Sequence, residues 1–213
     1  CCNRARIPAL AFLVLAAACS PSSGPEDRIL SSHPDLKTHT EEFRQEIVKV
    51  TEGVYVAVGF GLANSVLLEG DDGVVIVDTM ESAEAARPVK QAFKAITAKP
   101  VKAIIYTHHH TDHTFGAAVM AGEDRPEIYS HAETRQHLNR ITAVTRETTY
   151  RRAMRQFGTL LPEGQFVNAG IGPRLQYDDK KTAALLFPTR TFADEQLEIE
   201  IAGLKIVLVH APG

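Results

Sequence analysis

Two short runs of β-branched and aliphatic residues most constrain how this chain can fold: Val74-Val75-Ile76-Val77 and Val101 to Tyr106, the latter centred on Ile104-Ile105. Neither run alternates apolar with polar residues, which is the mark of strands buried on both faces. Between them, Ala85, Val89, Phe93 and Ile96 recur at helical spacing. Ser82 is placed to cap that helix, Pro88 lies inside it where it can kink the first turns, and Lys99-Pro100 ends it. Strand, helix, strand in so few residues is a βαβ crossover, so the two strands are predicted to be parallel.

Shorter strands precede this unit, around Ile47 to Val50, Val54 to Val58 and Val66 to Leu68, with a Gly70-Asp71-Asp72-Gly73 turn before Val74. Hairpins joined to a parallel pair make a mixed sheet. Beyond it the spacing predicts a short helix over Thr114 to Ala121, a strand at Glu127 to Ser130 and a polar, mostly helical stretch from Thr134 to about Phe157. A Gly-rich loop follows from Gly158 to Pro173. Leu197 to Ile201 then alternates as a half-exposed strand, Ala202-Gly203 turns, and a last strand starts at Leu204. The fold class is α/β.

The first residues read as an address. Arg4 and Arg6 precede an apolar run from Ile7 to Ala18, too short for a bilayer span of about 20 residues. It ends Ala16-Ala17-Ala18-Cys19, which resembles a bacterial lipoprotein signal whose cysteine is lipidated after cleavage; an ordinary signal peptide cut after the alanines is the alternative. Residues 1–19 are therefore expected to be an export signal, with a periplasmic protein anchored through Cys19, and residues 20–42 a flexible tether. Membrane contact is expected through that anchor alone. Cys1, Cys2 and Cys19 are the only thiols, so the body offers no disulfide and no cysteine ligand. The chain opens with Cys rather than Met, so further residues are expected before it.

A formal net charge of -3 excludes a strongly basic nucleic-acid binder, and 44% hydrophobic residues exclude a disordered acidic tail. Chemistry concentrates instead at Thr107-His108-His109-His110-Thr111-Asp112-His113, where four of the nine histidines stand within six positions. The cluster sits where a buried parallel strand ends and a helix begins, the place where open α/β sheets build their sites. His108 and His110 are two apart on an extended segment and share a side, while Asp112 and His113 approach from beyond the bend. Imidazole and carboxylate suit zinc. Four such groups crowd a single metal, but can give two ligands to each of two ions that hold a bridging hydroxide. Extended geometry turns His109 away, into a supporting or packing role. A solvated histidine-rich loop is the bland alternative, and the strand-end position argues against it.

The H-x-H-x-D-H motif, following Val77-Asp78-Thr79 and one βαβ unit, resembles the metallo-β-lactamase superfamily. The resemblance implies an αββα sandwich with a metal site at one edge of two packed sheets, and it makes Asp78 a support for the metal-binding loop. Further stretches look like the alkyl sulfatases of the dodecyl-sulfate-degrading type: Gly53 to Gly59, Leu62-Ala63-Asn64-Ser65, Val77 to Ser82, Tyr106-Thr107-His108, Gly158 to Pro162 and Asn168 to Pro173. The likeness covers residues 43–213. It implies two Zn2+ ions held by His108, His110, Asp112 and His113, with Asp112 also at the reacting centre. The substrate implied is a small amphiphilic sulfate ester.

Asn64 is expected to border the substrate pocket, or to shape its turn. His210 stands before Ala211-Pro212-Gly213 at a position that carries no ligand in the family, so its expected role is support. The next family ligand would lie past Gly213. The domain is therefore expected to be incomplete at its C-terminal end, with weak metal binding and little turnover by these 213 residues alone. Arg140, Arg146, Arg151, Arg152 and Arg155 can face an anionic head group, although a solvated helix face accounts for most of them. A homodimer is left open. So are two rival readings: a thioester, lactone or lactam hydrolase of the same fold, and a zinc-binding lipoprotein without catalysis. The absence of cysteine from the body argues against the lactamases that use a Cys ligand.

Overall fold

A computed structural model describes residues 32–162, 165–176 and 180–211. The expected export signal and Cys19 lie outside the described residues, as do Pro212 and Gly213. Residues 32–42, read from sequence as part of the tether, differ from that expectation. They form a short helix α1 (Pro34–His39) and a 3-10 turn (Thr40–Phe43). The buried Asn168 holds them down, its Nδ2 donating to the Leu36 carbonyl at 2.8 Å and to Thr40 Oγ1 at 2.9 Å.

Strands β1 (Glu46–Thr51), β2 (Val54–Val58), β3 (Ser65–Glu69) and β4 (Val74–Val77) form an antiparallel meander. Helix α2 (Ala83–Ile96) crosses to β5 (Val101–Ile105), which pairs parallel with β4 as the sequence predicts. The Ser82 hydroxyl accepts from the Ala85 N–H and starts α2, which continues unbroken through Pro88. Strands β6 (Glu127–His131) and β7 (Arg190–Phe192) add in parallel, making a seven-stranded mixed sheet in the order β1 to β7.

Helix α3 (Thr111–Thr114) and helix α4 (Ala117–Ala121) stand where one helix was expected. The break has a backbone cause. The Gly116 N–H donates to the Met80 carbonyl at 3.0 Å instead of continuing the helical ladder. Helix α5 (Ala132–Asn139), a π turn (Arg140–Val144) and helix α6 (Arg146–Gln156) follow β6. Among the described residues, no helix is long and apolar enough to cross a membrane.

Two cores result from the period-2 alternation of the central strands. On one face Leu67, Ile76, Ile104 and Ile128 pack against Val89 and Phe93 of α2 and Met120 of α4. On the other face Val75, Ala103, Ile105 and Tyr129 meet Leu197, Ile199, Ile206 and Leu208. These last four come from a hairpin of β8 (Gln196–Ile201) and β9 (Leu204–Val209), a second, two-stranded sheet. Each buried aliphatic side chain contributes about 1.5–3 kcal/mol. The layers are therefore helix, sheet, sheet. The C-terminal ends of β4, β5 and β6 open together at one edge, and the histidine motif follows directly on β5.

Candidate metal centre

The centre begins with a backbone irregularity. Asp78, one residue past β4, has φ 58, and Met80 has φ 72. Left-handed backbone is uncommon for residues with a side chain, and Asp tolerates it better than most. The turn is held from both sides: the Asp78 N–H donates to the Ile105 carbonyl at 2.9 Å, and its carbonyl accepts from the buried Ser65 hydroxyl at 2.7 Å. The Asp78 carboxylate is thereby aimed at the end of β5.

That carboxylate organises two histidines. Its Oδ1 accepts from the Thr107 N–H at 2.9 Å, and its Oδ2 accepts from the Thr107 hydroxyl at 2.7 Å. Since the Thr107 proton is committed to a carboxylate, the Thr107 oxygen can only accept from His108 Nδ1, 3.0 Å away. His108 Nε2 is then the bare lone pair. Asp78 Oδ2 also accepts from His113 Nδ1 at 2.7 Å, which directs His113 Nε2 outward, 3.3 Å from Asp112 Oδ2. One carboxylate thus orients two imidazoles, through Thr107 for His108 and directly for His113, the usual way in which metal-binding histidines are supported. The His113 backbone is pinned as well, because its carbonyl accepts from both the N–H (2.7 Å) and the hydroxyl (3.0 Å) of Thr79.

The rings converge. The His108 ring lies 4.0 Å from that of His113 and 4.7 Å from that of His110, centroid to centroid. Asp112 and His113 sit in the first turn after His110, whose carbonyl accepts from the Thr114 hydroxyl at 3.1 Å. Burial, with His113 and His110 nearby, pushes His108 below its ordinary range and keeps it neutral. Burial also pushes His113 down, but hydrogen bonds to Asp112 and Asp78 outweigh it and raise this imidazole to about 9. Asp112 is held low despite burial, chiefly by its hydrogen bond to His113.

The donor set fits a divalent metal of the zinc type: three imidazoles and one carboxylate, with His108 Nε2 left bare by its support and His113 Nε2 able to ligate once it gives up its proton. His113 Nε2 and Asp112 Oδ2 face each other across the space that an ion would take.

His109 points elsewhere. Its ring stacks on His137 of α5 at 4.6 Å, and burial together with His110 and His137 lowers it to about 4. Asn64 is exposed, immediately before Ser65. His210, just past β9, stacks on His131 at 3.7 Å with 11° between the planes, and its Nε2 lies 3.6 Å from Glu133 Oε2. Sequence reading gave no individual role to Ser65, Thr79, Thr107, Glu81, His131 and Glu133, although the first four stand in stretches that resemble the alkyl sulfatases. Thr107 adjoins the cluster and Thr79 follows Asp78, so adjacency was a signal for those two. No local pattern marked His131 or Glu133. Glu81 is fully buried, and its Oε1 accepts from the Leu62 N–H at 3.3 Å and the Gln176 N–H at 2.8 Å. It ties the 60–64 turn to the loop after Gly158.

Two clefts flank the cluster. One, of about 410 Å³, has His110 and Asp112 on one side and Arg140, Arg152 and Phe157 on the other. The other, of about 750 Å³, lies between the ends of the two sheets and is lined by His108, His109, Phe192 and Leu208, among others.

Two facing sheets, one covered by helices, with imidazoles and a carboxylate gathered at the strand ends, define a metallohydrolase type of fold. The chain belongs to the metallo-β-lactamase superfamily, whose model matches residues 58–212. It is 35% identical over 153 residues to a linear primary-alkylsulfatase of Pseudomonas sp. (strain ATCC 19151), covering 68% of this chain and 28% of that protein. It is 31% identical over 176 residues to the 2,4-dinitroanisole O-demethylase subunit alpha of Nocardioides sp. (strain JS1661), covering 82% of this chain and 38% of that one. Its fold resembles the solved structure of the stereoselective inverting sec-alkylsulfatase Pisa1 from Pseudomonas sp., with a TM-score of 0.70 and 24% identity, over 83% of this chain and 29% of that one. The chain thus spans between about a quarter and two-fifths of the length of these relatives.

Proposed function

We propose that the protein is a zinc-dependent hydrolase of alkyl sulfate esters. The observation that carries this reading is the clustering of His108, His110 and Asp112 about His113, itself held by the Asp78 carboxylate, in a chain 35% identical to a linear primary-alkylsulfatase over 153 residues. A pair of zinc ions bound there would supply a hydroxide at neutral pH and a Lewis-acid hold on a sulfate oxygen. His108, His110, His113 and Asp112 are the ligands this chain provides. Asp78 and Thr107 hold the two rings in place, His108 in its ligating tautomer and His113 oriented to ligate once its Nε2 proton is released.

The cleft beside Asp112 suits an anionic head group. Of the five arginines that could face one, Arg140 and Arg152 line it, whereas Arg151 pairs with Glu147 at 2.8 Å on an exposed face. Fixed cations next to the reacting centre favour a sulfate ester over a neutral amide or lactone. The apolar walls of the wider cleft suit an alkyl tail. The likeness to an O-demethylase subunit supports a second reading, cleavage of an aryl ether at the same centre.

Sulfate release from dodecyl sulfate by the full-length protein tests the leading reading. Release should be abolished by a chelator and restored by zinc. No release, together with chelator-sensitive hydrolysis of an aryl ether, thioester or lactam, would sink it. We further propose export and lipid anchoring at Cys19, supported by Arg4, Arg6 and the apolar run before it. Incorporation of labelled palmitate that is lost in Cys19→Ala tests this; equal labelling of both proteins refutes it.

A further inference from the structure

We infer that His131, Glu133 and His210 form a second metal-binding site, suited to zinc or a similar first-row divalent ion and sharing no ligand with the strand-end cluster. One donor atom from each of the three residues lies within 4.8 Å of the other two. Two imidazoles and a carboxylate are a donor set that zinc takes in catalytic sites, whereas calcium and magnesium prefer oxygen alone.

A further observation points to an ion there: His131 Nε2 is buried and has no hydrogen-bond partner, an expensive state for a ring nitrogen. The His131 and His210 rings lie nearly parallel, 3.7 Å apart, so both are already gathered at one place, and loading turns them until their in-plane lone pairs meet at the ion. Glu133, exposed on the first turn of α5, closes the third side at 3.6 Å from His210 Nε2.

Zinc sits about 2.0–2.2 Å from nitrogen and oxygen ligands, so the three atoms must each move inward by less than about 1 Å. One existing contact yields in the process. His131 Nδ1 accepts from the Glu133 N–H at 3.4 Å, and loading through Nε2 places the ring proton on Nδ1 instead. At that length the contact is weak.

The location gives the site a task. His131 ends β6 in the seven-stranded sheet, and His210 follows β9 in the two-stranded sheet. An ion held by both ties the open ends of the two sheets together, across the cleft that also carries His108 and His109.

The test is a zinc titration of the whole chain against a chromophoric chelator, in four proteins. They are the wild type, Glu133→Gln, His131→Gln, and a His108→Ala/His110→Ala double variant that cripples the strand-end cluster. The double variant should keep one zinc equivalent and gain thermal stability on binding it. Glu133→Gln should hold one equivalent at least tenfold more weakly than the wild type, and His131→Gln should lose it. Glu133 is exposed and its replacement isosteric, so this variant decides the matter even if His131→Gln fails to fold. Unchanged zinc binding in Glu133→Gln, or no zinc bound by the double variant, overturns the site. Neither readout requires activity, so the result is separable from the proposed sulfatase function.

Discussion

Asp78 Oδ2 accepts a 2.7 Å hydrogen bond from His113 Nδ1, and the backbone that aims it stands at φ 58. Charge and conformation both matter in this contact, and they can be separated. Asn adopts left-handed backbone readily, so Asp78→Asn should keep the turn while removing the carboxylate. Loss of a support of this kind typically costs 10–100-fold in metal affinity. Zinc affinity of Asp78→Asn should fall by about that factor with an unchanged far-UV circular dichroism spectrum. Wild-type affinity in this variant would show that Asp78 has no hold on the centre.

Gly116 lets two backbones touch. A Cβ at this position would collide with the Thr79 carbonyl and the Ala86 side chain. Thr79 in turn carries the His113 carbonyl. Gly116→Ala should therefore cost about 1–3 kcal/mol or more by overpacking, measured by urea denaturation, and should weaken zinc binding as well. Full stability in this variant would mean that the 78–80 turn moves freely.

Glu81 makes stability depend on pH. Burial raises its carboxyl from 4.5 to about 7. The unfolded chain therefore gives up this proton first as pH rises, so the folded state binds more protons between about 4.5 and 7. Stability from this group falls across that window and levels off above it. The span corresponds to about 3 kcal/mol at most. Glu81→Gln mimics the protonated form. It should match the wild type near pH 4.5 and exceed it at pH 8 in urea denaturation. Parallel curves for the two proteins would contradict the assignment.

Asn168 fastens the N-terminal helix to the body through two donated bonds, and its own Oδ1 accepts from the Gly170 N–H at 2.9 Å. Asn168→Ala should raise amide exchange over residues 34–43 by the equivalent of about 1–3 kcal/mol. The central strands β3 to β5 should keep their protection. Uniform loss of protection would show that this contact supports the whole fold.

Much of this fold was legible locally. The short aliphatic runs marked the strands β4 and β5, helical spacing and Ser82 marked α2, and Ala202-Gly203 marked the turn of the last hairpin. Each is a statement about neighbours in sequence, and such statements survive folding when packing agrees with them. The helix expected over Thr114 to Ala121 did not survive intact. The acceptor that divides it, the Met80 carbonyl, comes from a turn more than thirty residues earlier. Likewise the C-terminal part of the expected tether is helical, and Asn168, far along the chain, fastens it through two donated hydrogen bonds.

The same division holds at the centre. The sequence alone determined which residues are proposed to carry the metal-binding chemistry, because H-x-H-x-D-H at a strand end places its imidazoles and carboxylate within one turn of chain. Only the tertiary structure decided how they are oriented. Asp78, Thr79 and Thr107 reach His108 and His113 because β4 and β5 pair in parallel and end side by side. His131, Glu133 and His210 meet only because a second sheet folds onto the first. Those distances depend on packing between separate segments, which no local pattern encodes.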